Sequence, residues 1–142
     1  MKRRVLVDLN VILDVLLDRE PHVQASAAVW ALVEGGQVEG RVAAHCVTTL
    51  HYLAQKARGR EFAAECVSSV LTVFPVAPED GAILRAALAL GWSDFEDAAC
   101  SAAADADSCH FIVTRNPKHF RGSGCPALSP VEAVAALGVV TT

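Results

Sequence analysis

The chain has 142 residues, of which 53% are hydrophobic and 20% charged, and its formal net charge is −4. This composition excludes an intrinsically disordered chain, and only six prolines and nine glycines exclude a collagen-like or low-complexity one. The length suits one ordinary domain and is short for two, so we expect residues 1–142 to form a single domain.

The apolar composition does not predict a membrane protein. Much of the excess is alanine, and no stretch reaches the ~18 uncharged apolar residues that a spanning helix needs. The basic start and the apolar run that follows it resemble a signal peptide, but Asp8, Asn10 and Asp14 interrupt the run and no small-residue cleavage site follows. We therefore expect this segment to belong to the folded protein, and the protein to be cytoplasmic.

The cysteines give no sign of a zinc cage or a disulfide framework. They are Cys46, Cys66, Cys100, Cys109 and Cys125, an odd number with no CxxC pair. A zinc cage usually has closely spaced ligand pairs, and a disulfide framework needs an oxidising compartment. We expect them to be reduced and mostly buried as small hydrophobic side chains.

Hydrophobic periodicity and turn residues predict the elements in chain order. Arg4 to Asp8 is a short β-branched run that predicts a buried strand ending at an acid. A helix follows, with Val11, Ile12, Val15 and Leu16 at helical spacing. The next predicted elements are a helix over 22–34, a strand over 40–44, helices over 48–58 and 61–71, and a strand over 73–76.

The second half of the chain continues the alternation of predicted strands and helices. A helix is predicted over 78–90, and Ser93 and Glu96 predict a capping box that opens a helix to about Asp105. The strand Phe111–Thr114 follows, and a second capping box at Ser129 and Glu132 opens a last helix that reaches Leu137. Strands alternating with helices predict an α/β fold of three layers, with a central parallel sheet between helices.

Polar side chains gather where sites form in such sheets, beyond the carboxyl ends of the strands. Asp8 ends the first strand, with Asn10 two residues later, and Arg115-Asn116 directly follows a later strand. Asp94 and Asp97 lie three residues apart in the first turn of a helix, so both can project from one face. Helix capping alone also explains these two acids, and a loop-start acid explains Asp8.

If Asp8, Asp94 and Asp97 lie close together, their like charges repel each other and need compensation. Two carboxylates about 4 Å apart repel by roughly 4 kcal/mol at an effective dielectric near 20. Three of them need protons or a cation, and oxygen-rich acidic sites suit a hard divalent ion such as Mg²⁺. The chemistry that such a site predicts is metal-assisted hydrolysis of a phosphodiester bond.

Three segments resemble the PIN-domain family of nucleases, which includes the VapC-type toxins of bacterial toxin–antitoxin pairs. They are VLVDLNVILDVLL, SDFEDAACSAAA and FIVTRNPKHF, and the closing PALSPVEAVAAL is also similar, so the resemblance covers nearly the whole chain in order. It implies a parallel sheet flanked by helices, Mg²⁺- or Mn²⁺-dependent cleavage of RNA, and frequent formation of homodimers.

The resemblance assigns site residues. Asp8 matches the first acid of the family and Asn10 its supporting polar residue, while Asp94 and Asp97 match the acids that open the late helix. Asn116 falls where the family often has a further acid or an asparagine.

Two positions depart from the family pattern. His51 and His119 stand where acids are usual, which leaves three family-type carboxylates in place of four or five. A first metal ion can still bind, while a second would be weak or dependent on substrate. Each histidine is a candidate Mn²⁺ ligand or general base, and packing or surface exposure is the alternative.

The basic residues beside the site suit a polyanionic substrate. Arg115 and Lys118 flank the acids and are candidates to hold phosphate oxygens of RNA. The leading hypothesis is a metal-dependent ribonuclease, the toxin of a pair neutralised by an antitoxin protein. The alternative is a non-catalytic module that keeps the fold, has a degraded acidic site and binds RNA or protein.

Overall fold

The computed structural model describes residues 2–138. The strands are β1 (Arg4–Val7), β2 (Glu39–Ala43), β3 (Val76–Ala77), β4 (Phe111–Val113) and β5 (Ala127–Leu128). The helices are α1 (Leu9–Leu16), α2 (Val23–Glu34), α3 (Ala44–Arg58), α4 (Arg60–Val73), α5 (Gly81–Ala89), α6 (Phe95–Ala106) and α7 (Pro130–Leu137). A short 3₁₀ helix covers Pro117–Phe120.

The five strands form one sheet in the order β3-β2-β1-β4-β5, and every neighbouring pair is parallel. β1 is central, with Leu6 opposite Arg41 on one side and opposite Ile112 on the other. Because all strands run the same way, their carboxyl ends lie along one edge. Helices flank the sheet, and the structure confirms the predicted three-layer α/β/α fold.

The hydrophobic core is built on the two inner strands. Val5, Leu6 and Val7 of β1 and Ile112 and Val113 of β4 are at most 1% exposed, as fully buried parallel strands require. The helices pack in three sets, α2 with α1 and α7, α3 with α4, and α5 with α6. None of the helices within residues 2–138 has the combined length and apolar character that crossing a bilayer requires.

Several predicted boundaries are wrong by a few residues. α3 begins at Ala44, directly after β2, whereas the prediction began it at Thr48. α5 begins at Gly81 because the Asp80 carboxylate accepts a hydrogen bond from the Ile83 amide and caps the helix there. The 3₁₀ helix and β5 have no periodic signal in the sequence, because both are too short to complete a period.

One correction bears on the site. The sequence predicts Ser93 as the cap of α6, but Asp94 is the cap, and its carboxylate accepts a hydrogen bond from the Asp97 amide at 3.0 Å. A carboxylate is the better partner for the free amides and positive dipole of a helix start. The second predicted capping box, at Ser129 and Glu132, is confirmed with both reciprocal hydrogen bonds present.

Candidate functional site

Asp8 joins β1 to α1 at the carboxyl edge of the sheet. Its backbone amide continues the ladder by donating to the Val113 carbonyl, and its side chain caps α1 by accepting from the Leu9 amide at 2.8 Å. The second carboxylate oxygen accepts from the Thr114 hydroxyl at 2.9 Å. The residue is only 8% exposed, and burial raises the pKa of its carboxyl group. Neutral donors therefore hold a buried carboxylate in one orientation.

Asp94 and Asp97 open α6 close to this carboxylate. Burial first, and then the charges of Asp94 and Asp8, raise the pKa of Asp97 to about 6, while His119 acts in the opposite direction. The charge of Asp94 also raises the pKa of Asp8. The charge of Asp94 thus acts on both Asp8 and Asp97, and the charge of Asp8 acts on Asp97, so the three carboxylates lie near one another despite their separation along the chain.

A solvent-open cleft of about 470 Å³ lies over the start of α6. Its lining residues are Trp92, Ser93, Asp94, Asp97, His119 and Arg121. The Trp92 ring packs edge-on against the Phe120 ring at 6.0 Å between centroids, which fixes one wall. His119 Nδ1 lies 3.8 Å from Asp97 Oδ2. The cleft therefore combines two acids with a cation and a titratable ring.

Three other predicted residues, Asn10, Asn116 and Lys118, do not line this cleft. Asn10 Oδ1 accepts from the Arg115 amide at 3.4 Å, and the Asn116 amide donates to the Thr114 hydroxyl at 3.2 Å. The Asn10 side chain thus orders the loop that carries Thr114 to Asp8, whereas Asn116 contributes through its backbone amide. Lys118 is exposed on the 3₁₀ helix.

Two candidates, Arg115 and His51, do not line the cleft. Arg115 Nε lies 3.1 Å from the buried carboxylate of Asp14, so this guanidinium has a structural partner. His51 is half-buried in α3, and no hydrogen bond or ion pair joins it to Asp8, Asp94 or Asp97 in the described part of the chain.

A family model described as a PIN domain matches residues 4–118. The chain belongs to the PIN-domain family. The matched range contains Asp8, Asp94 and Asp97, and it covers more than half of the chain. A comparison with curated protein sequences gives no match.

Solved structures resemble this PIN domain in fold. VapBC2 from Rickettsia felis, bound to a promoter DNA fragment, has a TM-score of 0.70 and 12% identity, covering 89% of this chain and 98% of that one. A toxin–antitoxin complex from Klebsiella pneumoniae has a TM-score of 0.67 and 19% identity, covering 89% and 97%. FitAcB from Neisseria gonorrhoeae has a TM-score of 0.63 and 17% identity, covering 89% and 98%.

The acidic residues of this PIN domain have the donor chemistry that a hard divalent cation prefers. Asp8, Asp94 and Asp97 supply only carboxylate oxygens, the ligand type that Mg²⁺ and Mn²⁺ prefer. Their mutual repulsion, seen in the raised pKa of Asp97, is relieved when a cation neutralises them. As placed, the three carboxylates do not form one tight group of ligand atoms, so binding of a shared cation would draw them closer together.

Sequence reasoning missed a second group beside Asp8. His45 and Cys46 start α3, and Cys100 lies on α6, with their ligand atoms all within 4.8 Å of one another. Contacts with Cys46 and Glu79 outweigh the opposing effect of burial and raise the pKa of His45 to about 10. The sequence does show His45 and Cys46 side by side after a strand, which is a possible sign of a metal site. The prediction that the cysteines are buried hydrophobic side chains did not take this pair into account.

Proposed function

We propose that this PIN domain is a Mg²⁺- or Mn²⁺-dependent endoribonuclease, acting in the cytoplasm as the toxin of a toxin–antitoxin pair. The observation that carries the proposal is that Asp94 and Asp97 line one cleft, and that the charges of Asp94 and Asp8 raise the pKa of Asp97. We also propose that residues 1–142 act as one domain, since all strands belong to one sheet.

Asp8 and Asp97 would be the principal ligands of the cation, with Asp94 assisting from the cap of α6. When bound, the cation supplies Lewis-acid stabilisation of charge that develops on the scissile phosphate. Thr114 and the Leu9 amide hold Asp8 in position through its two oxygens. The Asn10 side chain and the Asn116 backbone amide hold the loop after β4, and the amide donates to the Thr114 hydroxyl that contacts Asp8.

The walls of the cleft suit a phosphodiester. Arg121 lines the cleft and Lys118 is exposed on the adjacent 3₁₀ helix, so both can pair with phosphate oxygens of RNA. Arg115 has a smaller part, because its guanidinium already neutralises Asp14. His119 lies 3.8 Å from Asp97 and is placed to hold a proton next to the carboxylate.

The toxin assignment is supported by the structural neighbours, which include toxin–antitoxin complexes. An antitoxin protein is therefore the proposed partner, and a homodimer the proposed assembly. Expression of the wild-type chain should arrest bacterial growth, and Asp8→Asn should relieve the arrest at equal protein level. Arrest of equal strength by both chains would contradict the toxin proposal.

The direct test measures RNA cleavage after removal of metal and addition of Mg²⁺ or Mn²⁺. The wild type should cut a labelled single-stranded RNA, and Asp8→Asn should be slower by about 10²-fold or more, since a lost ligand removes several kcal/mol of charge stabilisation. Asp105→Asn is the matched control, because Asp105 is exposed at the other end of α6. Wild-type protein that binds RNA and cuts none with either cation would establish the alternative, a non-catalytic module.

A further inference from the structure

The group formed by His45, Cys46 and Cys100 has the shape of a metal site. His45 Nε2 lies 3.6 Å from Cys46 Sγ and 3.6 Å from Cys100 Sγ, and the two sulfur atoms are 3.8 Å apart. The two sulfur atoms are not bonded, since a disulfide has an S–S distance of about 2.05 Å. Three potential ligand atoms thus form a nearly equilateral triangle.

This triangle matches one face of a tetrahedral zinc site. With Zn–S bonds of about 2.3 Å and Zn–N bonds of about 2.0–2.1 Å, tetrahedral geometry puts sulfur atoms about 3.8 Å apart, and sulfur about 3.6 Å from nitrogen. The observed separations are 3.8, 3.6 and 3.6 Å. Thiols that pack only as small hydrophobic groups have no reason to place an imidazole nitrogen equally distant from both.

Glu79 holds His45 in the orientation that a zinc ligand needs. One carboxylate oxygen lies 2.8 Å from His45 Nδ1, and the other accepts from the His45 backbone amide at 2.9 Å. The Glu79 side chain is 4% exposed, so this contact is fixed within the protein. A carboxylate that binds one imidazole nitrogen leaves the other directed at a metal, which is a common arrangement around protein-bound zinc.

The ligand types separate this group from the acidic site. Two thiolates and an imidazole select Zn²⁺ over Mg²⁺ or Mn²⁺, which prefer oxygen. Cys46 and Cys100 are 3% and 1% exposed, but the His45 side chain is 22% exposed and gives access from solvent. Asp8 Oδ1 lies 3.9 Å from Cys100 Sγ, so a cation held here would be a neighbour of the acidic site and not part of it.

We propose that His45, Cys46 and Cys100 bind one Zn²⁺ ion, with Glu79 orienting His45 and with a fourth coordination position left for water. The site lies where the start of α3 meets α6. It shares no ligand with the proposed Mg²⁺ or Mn²⁺ site, although Asp8, a proposed ligand of that site, contacts Cys100.

Cobalt titration of the reduced, metal-free full-length chain tests this proposal. One equivalent of Co²⁺ should produce a thiolate-to-cobalt charge-transfer band, and Zn²⁺ should abolish it by displacement. Cys46→Ser and Cys100→Ser should each weaken binding at least tenfold, while Cys125→Ser should bind as the wild type does. Cys125 is the matched control because it is also buried, and its thiol donates to the Cys109 carbonyl instead.

Two further measurements do not depend on removing a sulfur. Glu79→Gln keeps every ligand and should weaken Zn²⁺ binding about tenfold or more, as loss of an orienting carboxylate does elsewhere. X-ray absorption of the wild-type zinc protein should show two sulfur ligands and one imidazole nitrogen. A first shell of oxygen only, no charge-transfer band, or a band lost in Asp8→Asn and kept in both cysteine variants would overturn the proposal.

Discussion

Asp8 and Asp14 are both buried aspartates on the first helical segment, but their surroundings differ in charge. Asp14 is 0% exposed and lies 3.0 Å from Arg19 Nε and 3.1 Å from Arg115 Nε, and the Ser26 hydroxyl donates to it. The groups that donate to the Asp8 carboxylate are neutral, namely the Leu9 amide, the Thr114 hydroxyl and, at 3.9 Å, the Cys100 thiol. The first charge is compensated by the protein, whereas the second lacks an arginine or lysine partner among the described residues.

The difference shows how to separate a structural acid from a functional one. A buried charge with partners belongs to the packing of the fold, and removal of one partner is costly. A buried charge held by neutral donors in a cleft has a raised pKa and is stabilised by a cation or a proton from outside. Burial alone therefore does not identify the site, while the lack of compensation does.

The largest effect on stability is expected for Asp14→Ala. This change leaves Arg19 and Arg115 without their buried partner and should lower the free energy of unfolding by about 3 kcal/mol. Urea unfolding at neutral pH measures it. A loss below about 1 kcal/mol would mean that the two arginines are satisfied by solvent and that Asp14 does not differ from a surface acid.

Asp8→Asn should have the opposite effect on the metal-free protein. Burial raises the pKa of Asp8, so its charged form destabilises the fold, and the variant should be more stable than the wild type at neutral pH. The gain should appear as the pH rises above the unfolded pKa of the carboxyl group and should vanish in acid. Unfolding curves across pH with a chelator present measure it, and a destabilised variant at neutral pH would contradict it.

Asp97→Asn should give a smaller gain of the same sign. Its pKa is raised to about 6, so the wild type loses stability as the pH rises from about 4 to 6, and the loss is complete above that. The side chain is 16% exposed, and solvent screening reduces the gain to about 1.5 kcal/mol. Thermal unfolding of the wild type and of Asp97→Asn at pH 4 and pH 7.5 measures this gain. An equal gain in stability at both pH values would rule out an effect of Asp97 titration.

Substitutions at Asp94 should give the smallest changes in stability. They also distinguish its role as the cap of α6 from its proposed role in binding a cation. Asp94→Ala removes the cap of α6 and should cost about 1 kcal/mol, while Asp94→Asn keeps the cap and should be nearly neutral. If Asp94 assists a cation, both variants should weaken Mn²⁺ binding in calorimetry. If Asp94→Asn binds Mn²⁺ as tightly as the wild type does, Asp94 serves only as the cap of α6.

The sequence could determine much of the framework. The apolar runs of β1 and β4 predict buried parallel strands, and the edge rule for such sheets correctly places Asp8 and the residues after Val113 at the same edge. The second capping box is also local, because Ser129 and Glu132 lie within one helical turn. The catalytic roles of Asp8, Asp94 and Asp97 stay predictions until cleavage is measured.

Which charged and ligating side chains contact each other depends on the tertiary structure and does not follow from the sequence pattern. Asp14 and Arg115 are 101 positions apart in the chain, and their pairing reduces the phosphate-binding role that the position of Arg115 suggests. Cys46 and Cys100 are separated by 54 positions, and no spacing rule anticipates their contact with each other. Periodicity and capping record what a few neighbouring residues prefer, whereas compensation of a buried charge or completion of a ligand set depends on distant segments brought together by packing of the core.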